Sequence, residues 1–104
     1  ISVVPELYLT ELTSIDRERI LETLNEEANK IMRKIKTRAK GIKAIKTVVA
    51  EGNPPEEILK MAKKIKADII ITGCHGRHGA GKFLLGSVSS KIIDHAECDV
   101  LIVK

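Results

Sequence analysis

Gly73, Cys74, His75 and Gly76, followed after nine intervening residues by Gly86-Ser87, are the part of this chain best suited to chemistry. Two phosphate-binding spacings overlap here. Gly76 to Lys82 reads G-x-x-x-x-G-K, the skeleton of a P-loop. That loop also needs a hydroxyl after the lysine to hold magnesium, and here the next residue is Phe83. A P-loop springs directly from its strand, whereas this pattern starts three residues past the apolar run ADIIITG. The longer spacing, G-x2-G-x9-G-S over Gly73, Gly76, Gly86 and Ser87, makes better physical sense. Gly73 closes a strand at its carboxyl edge, where ligands of open α/β sheets bind. Gly86-Ser87 stands at the mouth of the next helix, whose free N–H groups and Ser87 hydroxyl can receive a phosphate. Glycines that merely shape a turn are the competing explanation.

Other candidates are weaker. Cys74, His75 and His78 are suitable metal ligands, but three in one loop without a second cluster do not make a zinc site, so no metal centre is expected. His95 reads as a helix-surface residue. Ser87 lacks both a nucleophile elbow and a base, and Ser89 and Ser90 read as ordinary polar positions of the helix. Asp94 and Asp99 are unsuited to magnesium, lying in a helix and at a strand's start. With no carboxylate pair and no Ser-His-Asp set, the residues favour a binding protein over a fast enzyme.

The elements that must position this loop follow from hydropathy. ISVVP reads as a strand stopped by Pro5. Ile20, Leu21, Leu24, Ala28, Ile31, Met32 and Ile35 form the apolar stripe of a long helix ended by Gly41. Lys43 to Ala50 reads as a second strand. A turn over Glu51 to Pro55 leads into a helix with Asn53 as N-cap, Glu56 as its capping-box partner, and Ile58, Leu59, Ala62 and Ile65 as its buried face. Ala67 to Gly73 is continuously apolar, as in a strand covered on both faces. Ser87 to about Ala96 reads as a short helix and DVLIVK as the last strand. The order β-α-β-α-β-α-β implies an α/β fold with a parallel sheet and right-handed crossovers.

Composition limits what this fold can do. A chain of 104 residues with 43% apolar and 2% aromatic content builds one modest core from Ile, Val, Leu and Ala. Tyr8 and Phe83 are the only aromatics, which nearly excludes base stacking. No apolar run can cross a bilayer, and two distant cysteines, Cys74 and Cys98, fit a reduced, cytoplasmic protein. Part of the net charge of +4 lies in Lys30 to Lys46, which holds eight cations and no acid. That run reads as the basic end of a helix that opens with Glu18, Glu22, Glu26 and Glu27, a polarity matching the helix dipole. A footprint for phosphate backbones is the alternative, and nucleic acid is not the expected partner.

The stretch from Ala67 to Lys104 resembles the universal stress protein family. The signature G-x2-G-x9-G-[S/T] matches at Gly73, Gly76, Gly86 and Ser87, between strand ADIIITG and helix GSVSSKII, and CDVLIV closes the domain. The upstream EGNPPEEILKMAKKIKADIII matches in its order of loop, helix and strand. The resemblance implies a flavodoxin-like, adenine-nucleotide alpha hydrolase-like doubly wound parallel sheet, in a single domain over 1–104. It implies ATP, with Mg²⁺ as a companion, as ligand, and a homodimer formed through Val100–Val103. Carried over by position, Gly73, His75 and Gly76 lie near the ribose and α-phosphate. Gly86, Ser87 and Val88 receive the outer phosphates, Val3 lines the adenine pocket, and Thr72 assists. The family's first strand and helix, with the Asp that recognises adenine, have no counterpart here, so the domain is expected to be incomplete at its N-terminus.

The expected function is a stress-response switch or sensor that binds ATP or a related adenine nucleotide, with slow ATP hydrolysis as the most it would catalyse. The alternative is a scaffold without nucleotide, or a module that contacts nucleic acid through Lys30 to Lys46.

Overall fold

The computed structural model describes residues 1–5, 14–42, 44–74 and 85–104. Seven elements follow in the expected order: β1 (Ser2–Pro5), α1 (Ser14–Arg38), β2 (Val49–Gly52), α2 (Pro54–Ile65), β3 (Ile69–Gly73), α3 (Ser87–His95) and β4 (Asp99–Val103). They form two compact units, Ile1–Asn53 and Pro54–Lys104. Each unit holds one parallel two-stranded sheet.

In the first unit β1 pairs with β2 in the register Ser2↔Val49 to Pro5↔Gly52. The register explains why β2 is displaced from the expected Lys43–Ala50. A strand extends only as far as its partner, and the four residues of β1 meet Val49 to Gly52. Residues 44 to 48 have no ladder, and Ala44, Ile45 and Lys46 are exposed. Glu51-Gly52, expected in a turn, belong to the strand. Helix α1 packs on this pair, and of its apolar stripe Ala28 and Met32 are buried. Leu21 and Leu24 are half-buried, and Ile20, Ile31 and Ile35 are exposed. A two-stranded sheet is too narrow to cover the whole stripe. Beyond Arg38 the chain turns through Gly41, whose φ of 107° is a conformation glycine adopts without a Cβ penalty.

In the second unit β3 pairs with β4 from Ile69↔Asp99 to Gly73↔Val103, and the Cys74 N–H extends the ladder to the Val103 carbonyl at 3.0 Å. Pro54 fits the first helical position of α2, where its missing N–H costs nothing. Asn53 occupies the N-cap position before it. Glu56 and Glu57 in the first turn and Lys63 and Lys64 in the last complement the helix dipole. The helix ends in a Schellman motif: Ala67 N–H bonds the Ala62 carbonyl at 2.9 Å and Lys66 N–H bonds that of Lys63 at 3.2 Å. Lys66 takes the left-handed position, φ 52°, that glycine usually fills, at a cost of about 1–2 kcal/mol.

Helix α3 packs against α2 and β4, and Ile92 on its inner face is fully buried. Ile70, Cys74 and Ser89 join it in this core. The expected face of α2 is only partly covered: Ile58, Leu59 and Ala62 are half-buried, and Ile65 is 63% exposed. Strand β3 also departs from expectation. Ile70 is buried, but Ile69 and Ile71 are 48% and 63% exposed, so the strand is covered on one face only. Leu101 and Val103 of β4 are exposed on that same open face.

Because Ile92 has no exposed surface, Ile92→Ala is expected to lower unfolding free energy by about 2–5 kcal/mol. Ile65→Ala, at an exposed position, should shift it by about 0.5 kcal/mol or less. Urea denaturation of the two variants measures both.

Candidate functional site

Parallel strands bring their carboxyl ends to one edge, and in the second unit that edge is formed by Gly73 and Val103. Helix α3 begins beside it. The Gly86 N–H donates to the Cys74 carbonyl at 2.9 Å, and the Ser89 hydroxyl donates to the Gly73 carbonyl at 2.6 Å. These two bonds clasp the end of β3 to the first turn of α3. The segment between them, 75–84, lies outside the described residues, and with it the expected contributions of His75 and Gly76.

Gly86 is the N-cap of α3, with an extended backbone (φ −60°, ψ 152°) and no side-chain capping bond. Any residue adopts that conformation, so glycine is not required here by its φ. What glycine offers is room for close approach to the helix end. The first intrahelical bond runs from the Ser90 N–H to the Gly86 carbonyl at 3.0 Å. The amides of Ser87, Val88 and Ser89 therefore have no acceptor within the helix. Ser87 is exposed and Val88 half-buried. No acidic residue stands in the first turn to neutralise the positive end of the helix dipole. Free amides and an unneutralised dipole are the features by which helix N-termini receive anions.

The structure thus brings Thr72, Gly73, Gly86, Ser87 and Val88 to one edge of the second unit. The Thr72 hydroxyl lies 3.4 Å from the Gly73 carbonyl. Val3 belongs to the first unit, where it pairs with Ala50. A helix start at Ser87 fits the longer glycine spacing, in which Gly86-Ser87 is the helix mouth. Cys74, considered as a ligand, is a buried core residue.

Ser89 is the residue that sequence reasoning missed. It is 4% exposed and spends its hydroxyl on Gly73, whereas an ordinary surface serine faces water. Its spacing of three from Ile92 was the available signal, since both then share the inner face of α3. Ser90 does behave locally, its hydroxyl donating to the Gly86 carbonyl at 3.1 Å. Removing the Ser89 hydroxyl takes away the shorter of the two clasp bonds. Ser89→Ala is expected to reduce stability by about 1–2 kcal/mol, read as a lower thermal midpoint, while Ser87→Ala leaves that midpoint nearly unchanged.

Comparison with known proteins agrees with this architecture. The profile of the universal stress protein family matches residues 2–104. Universal stress protein MJ0531 of Methanocaldococcus jannaschii is 44% identical over 89 residues, covering 84% of this chain and 52% of that protein. Among solved structures, universal stress protein UspA from Lactobacillus plantarum superposes with a TM-score of 0.87 at 25% identity, covering 98% of this chain and 73% of that one. Hypothetical protein MJ0577, the subject of a structure-based assignment of biochemical function, gives a TM-score of 0.79 at 36% identity, covering 85% and 62%. The chain spans about half the length of the curated relative MJ0531. The fold is of the flavodoxin-like α/β class, and with its profile match running from the second residue to the last, the chain belongs to the universal stress protein family.

Proposed function

We propose that this chain is the nucleotide-binding part of a universal-stress-type switch, taking ATP or a related adenine nucleotide at the carboxyl edge of β3. The observation that carries this reading is the uncapped mouth of α3. Three helix amides without intrahelical acceptors, a glycine not needed for its φ, and an exposed Ser87 hydroxyl together suit the outer phosphates of a nucleotide. Gly73, assigned to the ribose and α-phosphate, and Thr72, assigned to assist at the adenine pocket, belong to the same edge. Mg²⁺ accompanies the triphosphate as its counter-ion. The bound nucleotide acts by biasing a conformation or a partner surface.

Binding of Mg-ATP to the complete protein should be roughly tenfold or more tighter than binding of AMP in a calorimetric titration. Gly86→Val should remove most of that difference, because its side chain blocks approach to the helix mouth. Equal affinity for ATP and AMP would mean that the helix mouth does not read phosphates.

The switch is assigned a homodimeric state through Val100–Val103 of β4. Among the described residues β4 pairs only with β3, and Leu101 and Val103 are 49% and 50% exposed. An apolar edge strand of this kind is suited to pairing with a second copy. Leu101→Lys is therefore expected to shift the protein from dimer to monomer in sedimentation equilibrium; an unchanged mass would place the interface elsewhere. Both cysteines are free thiols, in keeping with a cytoplasmic role, and no helix among the described residues is long and apolar enough to cross a membrane.

A further inference from the structure

A second concave site lies at the opposite end of the strands from the helix mouth. A cavity of about 580 Å³ opens between the last turns of α2 and α3 and the start of β3. Its apolar lining includes Leu59, Ala62, Ile70 and Cys98, and its polar lining consists of Lys60, Lys63, Lys66, His95 and Glu97. This size and this mixture of an apolar body with a few charged groups are those of small-molecule sites.

The three cations are not equivalent. Lys63 is held by Glu97 at 3.0 Å, and Lys60 lies 3.7 Å from Glu57. Lys66 has no carboxylate partner among the described residues. It is also the residue in left-handed conformation, φ 52°, at the Schellman position where glycine carries no strain. A strained residue lining a cavity is a reason to look for a function. Cations near the ends of α2 and α3 do offset the helix dipoles, but that role needs no strained residue, and Lys63 and Lys64 already fill it for α2. The carbonyls of Ala62 and Lys63 are already occupied by the Schellman bonds, so less unbalanced negative charge faces the cavity.

The geometry points to a binding site for a small amphipathic monocarboxylate, with its apolar chain on the Leu59–Ala62–Ile70 lining and its head on Lys66. One unmatched cation suits a single negative charge better than a phosphate dianion. The site is separate from the glycine loop and does not depend on nucleotide binding there.

The test uses the complete protein and decanoate below its micellar concentration, with decyltrimethylammonium as the same chain bearing the opposite charge. Decanoate should bind, slow the alkylation of Cys98 by iodoacetamide in a peptide-resolved mass measurement, and lose affinity as salt is raised. The decyl cation should bind roughly tenfold more weakly. Lys66→Gly is the informative variant because it removes the cation and the backbone strain together. It should raise the thermal midpoint yet weaken decanoate by roughly threefold to fivefold. Ala62→Leu should fill the cavity and abolish binding. Unchanged decanoate affinity in Lys66→Gly would overturn the assignment, as would equal binding of the two decyl ions. So would decanoate binding that leaves the Cys98 rate unaltered, since the chain would then be on an exposed apolar surface instead. Absence of decanoate binding would overturn it outright.

Discussion

Two hydrogen bonds, from Ser89 to the Gly73 carbonyl and from the Gly86 amide to the Cys74 carbonyl, fix the helix mouth against the end of β3. Everything proposed for the carboxyl edge depends on them. The bonds join residues twelve to sixteen positions apart, closing a loop whose entropy they must overcome. They do so partly because the strand end and the first turn of α3 also share a core, with Cys74, Ser89 and Ile92 buried. Burial strengthens the Ser89 bond and raises the cost of breaking it. The clasp satisfies the strand's terminal carbonyls while the amides of Ser87, Val88 and Ser89 keep no acceptor within the helix. A side chain capping those amides would stabilise the helix further but fill the space at its mouth.

The same economy is absent on the open face of the second sheet. A parallel sheet is ordinarily covered on both sides, and α2 and α3 lie together against a core that includes Ile70 and Ile92. Ile69, Ile71, Leu101 and Val103 are left exposed on the other face. Helix α1 in the first unit shows a parallel situation, since Ile31 and Ile35 remain 45% and 44% exposed beside the buried Ala28 and Met32. In both units the apolar stripe written in the sequence is wider than the partner that meets it.

Element type and order were legible because each long segment has a clear period. The helical recurrence from Ile20 to Ile35, the Pro54-Pro55 helix start and the short run Asp99–Val103 all appear in the structure where hydropathy puts them. Boundaries were less legible wherever a partner strand sets them. Nothing in KAIKTVVA says that pairing begins at Val49, because that depends on β1 meeting it in register. Burial was misjudged for the related reason that an apolar run records a capacity to be covered. Whether Ile65 or Ile71 is covered depends on what lies across from it.

For the candidate site, the spacing of Gly73, Gly86 and Ser87 was enough to place a glycine loop between a strand and a helix mouth. Glycine at a helix start and β-branched runs are local properties, and local properties can be read along a chain. Lys66 could not be read in the same way, and for Ser89 the spacing from Ile92 signals only the inner face of α3. The left-handed turn at Lys66 follows from α2 having to stop and return to β3 within three residues. Ser89 becomes a strut only because α3 sets it against the end of a strand sixteen residues earlier. The sequence by itself determined the elements, their order and the glycine spacing, since these rest on short-range periodicity and backbone preference. The tertiary structure alone decided which apolar faces are covered and which hydroxyl holds the site, since both depend on groups distant in sequence meeting in space.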